Sequence, residues 1–414
     1  MIKNILSFLN EFKKNKGGYI AISQIVSKSA MIVNSFFIVR MLTKEEFGSV
    51  SLALSILSFL MPFINMGSQN GLLRFGSLVS TSNEKDILSN YNFKTGNALN
   101  TITIIIFLII CLFFSAKYNY LVTISLILSF RLVSLSFFYQ IRIDYQIRNN
   151  NYAYAITDML FNVFTLIVSL FLSFFFGMYG YVISLSMSFI FFSFKVKKHF
   201  KAKPYKKFPV SKKEFWNYSF GSSIANFLHG SISSLDTFMV GYFLSATSIA
   251  EYRISSIIPL NLFFLAQMFV VTDYPKFVKN HTNKKYFQTY LKNYFIIFLF
   301  IGFLLIIVFS LFGDYIIKLL FGNNYYATSA FYVLILISVF CLLILIPFGN
   351  ITAALGLLKK NIFASVGAML IQIVIGVLLI PHYGILGAAL STGFAYLFSG
   401  FYNMFAVYKY FKKN

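Results

Sequence analysis

Apolar residues run along this chain in about twelve stretches of roughly 18 to 25 residues, separated by short polar connectors. At about 1.5 Å of rise per residue, each stretch crosses the ~30 Å hydrocarbon core of a bilayer as one helix. Segments such as Thr101 to Ser115 and Phe295 to Phe312 are apolar all round, without the polar face that a soluble core helix keeps. The pattern predicts an all-α, polytopic membrane protein with about twelve transmembrane helices. The expected spans are 18–42, 47–78, 93–116, 120–140, 152–176, 179–194, 215–243, 249–272, 290–312, 327–349, 361–381 and 384–408.

The polar punctuation orients these spans. Lys3, Lys13, Lys14 and Lys16 precede the first, and a dense lysine run from Lys195 to Lys213 separates the sixth from the seventh. Lys276, Lys279, Lys284 and Lys285 follow the eighth, Lys359 and Lys360 the tenth, and Lys409, Lys412 and Lys413 the twelfth. The opposite connectors offer little beyond Lys44, Lys117 and Lys318, so both termini and the even-numbered connectors are expected in the cytoplasm. Met1 to Gly17 leads straight into a span with no small-residue cleavage site and reads as a cytoplasmic tail.

A weak repeat of about 200 residues underlies the ladder. Tyr179-Gly180-Tyr181-Val182 recurs as Tyr383-Gly384-Ile385-Leu386, and Phe47-Gly48-Ser49-Val50 corresponds loosely to Ile249-Ala250-Glu251-Tyr252. Two parallel six-helix lobes are expected, residues 1–200 and 215–414, joined by a basic cytoplasmic linker at 201–214. Lobes so related, around a central cavity, suit a transporter that alternates between inward-open and outward-open states. Helix breakers fall in or beside spans two, eight, ten and eleven: Pro62, Gly67 and Gly71; Pro259 and Pro275; Pro347 and Gly349; Pro381.

Composition narrows the function. Of 414 residues 58% are hydrophobic and 11% charged, and the formal charge of +23 sits beside apolar spans rather than on a separate domain, which removes nucleic acid as a partner. Cys111 and Cys341 lie inside spans and read as packing residues. There is no phosphate loop, and His199, His229, His281 and His382 lack metal-ligand spacing, so neither cofactor, metal nor catalytic constellation is expected. The costly residues are the ionisable ones within spans. Lys28 and Arg131 lie near the bilayer midplane and are expected to line a cavity; Arg40, Arg74 and Arg253 lie nearer span ends, where snorkelling also accounts for them. Asp158 and Asp236 are the intramembrane carboxylates, candidates for ion coupling, although Asp158 also reads as a partner for a basic neighbour; His229 stands two turns before Asp236, either on its face or as a core histidine. Five basic and two acidic groups favour an anionic substrate.

Particular residues also look familiar. Ile38-Val39-Arg40-Met41-Leu42-Thr43-Lys44-Glu45-Glu46-Phe47-Gly48 resembles the first-helix signature of the Wzx-type flippases, the polysaccharide-export branch of the multidrug/oligosaccharidyl-lipid/polysaccharide superfamily. Gly67, Arg74, Pro275, Ala354-Leu355-Gly356 with Lys359, and Tyr383-Gly384-Ile385-Leu386-Gly387-Ala388-Ala389 also match. The resemblance implies a flippase of the bacterial inner membrane that moves a polyprenyl-diphosphate-linked oligosaccharide to the outer leaflet. Membrane lipids, a proton or sodium counter-ion and a polysaccharide polymerase are its implied partners. A cation-coupled drug exporter of the same superfamily would carry a carboxylate-dominated cavity, whereas span one has Lys28 and no acid. A repeat-unit polymerase would carry a long outer loop, and a scaffold would need no buried charge.

Overall fold

The computed structural model describes residues 17–200, 208–230 and 232–413. Among the described residues there are helices and connecting turns, and no strand. Ten stretches are long and apolar enough to cross a membrane. The expected fifth and sixth spans both lie in one helical run, Asn151–Phe200, interrupted at Gly177, and the expected seventh is formed by Lys212–Gly230 and Ile232–Phe243 on either side of Ser231. Large apolar side chains are exposed along many helices: Ile105, Ile109 and Phe113 on one, Ile296, Phe300, Phe303 and Leu311 on another. Each would forgo about 1.5 to 3 kcal/mol by facing water, so these faces belong against lipid. The chain is a polytopic, all-α membrane protein. The N-terminal lysines, the side chains of the basic connector before Phe208, and those of His229 and Pro275 lie outside the described residues.

By packing the chain forms two compact units, Met1–Glu46 with Ile56–Phe227 and Phe47–Ser55 with Leu228–Asn414. In the first unit, α1 (Gly17–Met41) buries Ser23, Ser27, Ala30, Asn34 and Ile38 on one face and lays it on α7 (Asn151–Phe200). Helix α2 (Lys44–Leu60) starts at a capping box: the Glu46 amide donates to Thr43 Oγ1 (3.3 Å) and the Thr43 amide to Glu46 Oε2 (2.9 Å). It ends at Leu60, and Pro62 stands in the first turn of the 3-10 segment that follows, Met61–Gly67; there Asn65, Met66 and Gly67 have φ of 56°, 51° and 71°. Left-handed geometry costs an L residue about 1–2 kcal/mol, and neighbouring side chains offset it. The Asn65 amide donates to Asn100 Oδ1 (3.4 Å), and Thr103 donates to the Phe63 carbonyl (2.9 Å). Beyond the break runs α3 (Ser68–Leu78), whose N-terminal end packs closely on α8 (Lys212–Gly230). A Cβ at Gly67 would lie 1.7 Å from Ser223 Oγ and one at Gly71 2.2 Å from Ser219 Oγ, so two small residues four apart on each helix set the approach.

A buried polar spine runs along α6 (Leu121–Ile147), against α4 (Ser82–Tyr91), the π-turn Asn92–Gly96 and α5 (Asn97–Phe114). Arg148, Asp144, Gln140 and Ser136 follow at four-residue spacing, so they share one helix face. Arg148 pairs with Asp86 (2.6 Å) and Asp144 (3.1 Å); Ser89 donates to Asp144 (2.9 Å); Gln140 donates to Ser89 Oγ (2.9 Å) and accepts from Asn92 (2.6 Å). Ser136 Oγ lies 2.8 Å from Asn65 Oδ1 and 2.7 Å from Asn97 Oδ1, so the spine ends at the break in span two. Gln140→Leu would strand the Asn92 amide and a Ser89 acceptor in an enclosed place. It is expected to lower stability by about 2–3 kcal/mol, measured as a fall in the melting temperature of the purified protein.

The second unit holds α9 (Ile232–Phe243), α10 (Ala246–Asn261), α11 (Phe263–Lys279), α12 (Lys284–Phe321), α13 (Ser329–Phe340), a π-turn Cys341–Leu345, α14 (Ile346–Ala354), α15 (Leu358–Tyr383) and α16 (Ile385–Lys413). Ser245, Asn283 and Thr328 cap α10, α12 and α13 by accepting from the amides of Ser248, Tyr286 and Phe331. One core gathers Phe277, Phe287, Phe298, Leu342 and Ile346, and Tyr294 donates to the Leu342 carbonyl (2.6 Å) inside the π-turn. Cys111 and Cys341 are buried and unpaired, as packing residues are.

The structure shifts the repeat register. Gly384 has φ 56°, ψ −135°, and its counterpart is Gly177 with φ 53°, ψ −132°, not Gly180 three residues later. Gly180 corresponds to Gly387: a Cβ on either would lie within 2.4 Å of the carbonyl oxygen eight residues earlier, Leu172 or Leu379. The Tyr-Gly pair matches by residue type, whereas backbone geometry open only to glycine pairs Gly177 with Gly384.

Candidate functional site

Two guanidinium groups flank a stacked aromatic pair inside the first unit. Arg131, Phe138 and Arg142 are separated by seven and four residues along α6, close to whole numbers of turns, and present one face to α7. From α7 comes Phe161, stacked on Phe138 with centroids 4.1 Å apart and planes at 19°. The Arg131 guanidinium carbon stands 5.1 Å from the Phe161 centroid, and that of Arg142 stands 5.4 Å from Phe138 and 4.7 Å from Tyr154. Such placement over ring faces stabilises a cation away from bulk water. Arg131 Nη1 also donates to the Leu185 carbonyl (2.7 Å), and Arg142 donates to the Tyr154 hydroxyl.

Among the described residues one carboxylate is ion-paired in this assembly. Asp158 is buried, its Oδ1 3.3 Å from Arg142 Nε and its Oδ2 accepting from Ser27 of α1 at 3.1 Å. Asp158 thus has the basic partner that its sequence position allowed. Two guanidiniums and one carboxylate leave the α6–α7 face net positive, an arrangement suited to an anion. Lys28, next to Ser27, is exposed on α1, as is Arg40 near that helix's end. Arg74 is exposed on α3 with its guanidinium 4.4 Å from the Tyr218 ring. The first unit therefore gathers Arg131 and Asp158 about one aromatic pair and leaves Lys28, Arg40 and Arg74 on exposed helix faces.

The second unit encloses Asp236. Its Oδ2 accepts from Tyr252 (2.7 Å), and its Oδ1 from the Thr237 amide (2.6 Å) and hydroxyl (3.2 Å). Among the described residues no Lys or Arg lies within ion-pair distance of it. Tyr252 lies 3.5 Å from Thr392 Oγ1, which accepts from Gln372 Nε2 (3.2 Å); Gln372 also donates to the Ile232 carbonyl (3.0 Å), and its Oε1 is buried without a partner. Arg253, next to Tyr252, is exposed on α10. Among the described residues no cluster of three or more His, Cys, Asp and Glu side chains is placed to hold a metal ion.

Residues 37–330 match the family described as polysaccharide biosynthesis protein. The chain belongs to that family. The match takes in Arg40, Arg74, Arg131, Asp158, Asp236 and Arg253 and leaves Lys28 outside. Solved structures show the fold that this polysaccharide biosynthesis protein adopts. The lipid II flippase MurJ in an inward closed conformation superposes with a TM-score of 0.71 at 20% identity, over 95% of this chain and 89% of that one. An inward-facing multidrug resistance MATE family transporter of the MOP superfamily gives 0.68 at 13% identity, over 93% and 96%. A Vibrio cholerae MATE transporter gives 0.61 at 13%, over 98% of each. No curated protein sequence matches the chain.

Arg142 was missing from the sequence reading of this family member because span four was expected to stop at residue 140. Its spacing from Arg131 on one helix face was the available signal.

Proposed function

We propose that this protein carries a polyprenyl-diphosphate-linked oligosaccharide repeat unit from the cytoplasmic to the outer leaflet of the bacterial inner membrane by alternating access, leaving the molecule chemically unchanged. The observation that carries this reading is the guanidinium charge along the α6–α7 face, where among the described residues Arg131 and Arg142 stand beside one ion-paired carboxylate, Asp158. A diphosphate in hydrocarbon faces a large desolvation cost, which fixed guanidiniums offset, while the polyprenyl tail stays in lipid. Membership of the polysaccharide biosynthesis family and the likeness to a protein named lipid II flippase support the same class of cargo. Reconstitution tests it: vesicles holding the purified protein and a fluorescent polyprenyl-diphosphate oligosaccharide should lose the protected inner-leaflet fraction when a membrane-impermeant quencher is added. Protein-dependent movement of an organic cation, with the lipid stationary, would favour the exporter instead.

Asp236 is our candidate for coupling. Asp236 is a buried carboxylate with no Lys or Arg within ion-pair distance among the described residues, so a proton or a sodium ion can serve as its counter-charge. Asp236→Asn should make flipping indifferent to imposed proton and sodium gradients in sealed vesicles. A wild-type protein that already ignores both gradients removes Asp236 from this role.

A further inference from the structure

Arg131 and Arg142 lie eleven positions apart on α6, about 16 Å by helical rise, with Arg131 over Phe161 and Arg142 over Phe138, the two rings of the stacked pair. They also differ in how they are held. Arg131 donates to the main-chain carbonyl of Leu185, and Arg142 is ion-paired to Asp158. Within that pair the acid is the fixed member: its side chain is 8% exposed and anchored by Ser27, while the Arg142 side chain is 24% exposed. A guanidinium has five N–H donors in a planar fork, and Asp158 Oδ1 with the Tyr154 hydroxyl leaves donors over for a further acceptor.

We infer that Arg142 is a second anion-binding station on the α6–α7 face, specific for a phosphate-bearing headgroup and held by Asp158 when no headgroup is present. The inference rests on the proposed flippase reading and adds a residue and an order to it. The Phe138–Phe161 pair lies between the stations, so the headgroup is handed along the helix rather than bridged by both arginines. Asp158 sets the occupancy of the Arg142 station by competing with phosphate oxygens for the same guanidinium. It keeps Arg142 from holding the headgroup so tightly that passage to Arg131 stalls.

The test uses the full-length protein in lipid nanodiscs and two probes, farnesyl diphosphate and inorganic pyrophosphate, titrated by calorimetry. Arg142→Gln should weaken farnesyl diphosphate binding about tenfold, Arg142→Lys less, and Asp158→Asn should tighten it several-fold by releasing the guanidinium. Because Arg142→Gln alone leaves a buried carboxylate unpaired, the double variant Arg142→Gln with Asp158→Asn serves as its neutral control and should bind as weakly. Unchanged affinity in that folded double variant, or weaker binding in Asp158→Asn, overturns the station. Loss of binding in Arg131→Gln alongside either of those results leaves the flippase reading standing and removes only Arg142 from it. Pyrophosphate binding as tight as farnesyl diphosphate would assign the station to a free anion, whereas a marked preference for the farnesyl compound assigns it to a lipid headgroup.

Discussion

Arg131→Ala is expected to reduce flipping of a polyprenyl-diphosphate oligosaccharide by about a hundredfold, and Arg131→Lys to retain a measurable part of it. The guanidinium lies ten residues into α6, about 15 Å from its start and close to the middle of a bilayer, where a lost charge-assisted contact to phosphate costs about 1.5–3 kcal/mol. Lysine keeps the charge but loses the planar fork that reaches the Leu185 carbonyl and lies over Phe161. The alanine variant also strands that carbonyl, so melting temperature and membrane yield belong beside the flipping assay. A folded variant with normal flipping would remove Arg131 from the pathway; a variant absent from the membrane would make its role structural.

The spans were legible because a bilayer imposes one length and an all-round apolar composition on the helices that cross it. Thr43 to Glu46 was legible as a motif, and the structure supplies its physical content in reciprocal hydrogen bonds at the start of α2. Pro62 and Gly67 announced a disturbance in span two, but the left-handed run at Asn65 and Met66 depends on Asn100 and Thr103, distant in sequence. Arg142, Asp144 and Arg148 were missed for one reason: the apolar run ends near residue 140, whereas α6 continues to Ile147. Contacts with distant parts of the sequence hold its end, since Lys85 donates to the Ile147 carbonyl (2.9 Å) and Arg148 binds Asp86 of α4. Hydropathy reports where lipid ends, not where a helix ends. A second half of the charge pattern therefore fell into an expected connector, and with it the partner of Asp158.

Gly48→Ala should be among the most damaging single-methyl changes in the chain, whereas Gly349→Ala should be harmless or stabilising. Both glycines are helical, so propensity alone favours alanine at each by about 1 kcal/mol. At Gly349 an added Cβ meets nothing within 4 Å. At Gly48 it would lie 1.8 Å from the carbonyl oxygen of Ala246, main chain in the first turn of α10 that no rotamer change can clear. The same seam is tight further along, where a Cβ at Gly241 would lie 2.5 Å from Leu52 Cδ1, so α2 cannot back away without opening a second contact. Overpacking of this kind costs about 1–3 kcal/mol where side chains can yield, and a clash with main chain belongs at or above the top of that range. Thermal unfolding of the purified protein should show a fall of many degrees for Gly48→Ala and none for Gly349→Ala. Were the two variants to melt alike, helix propensity would govern position 48, and the close backbone approach of α2 to α10 would not be what requires glycine there.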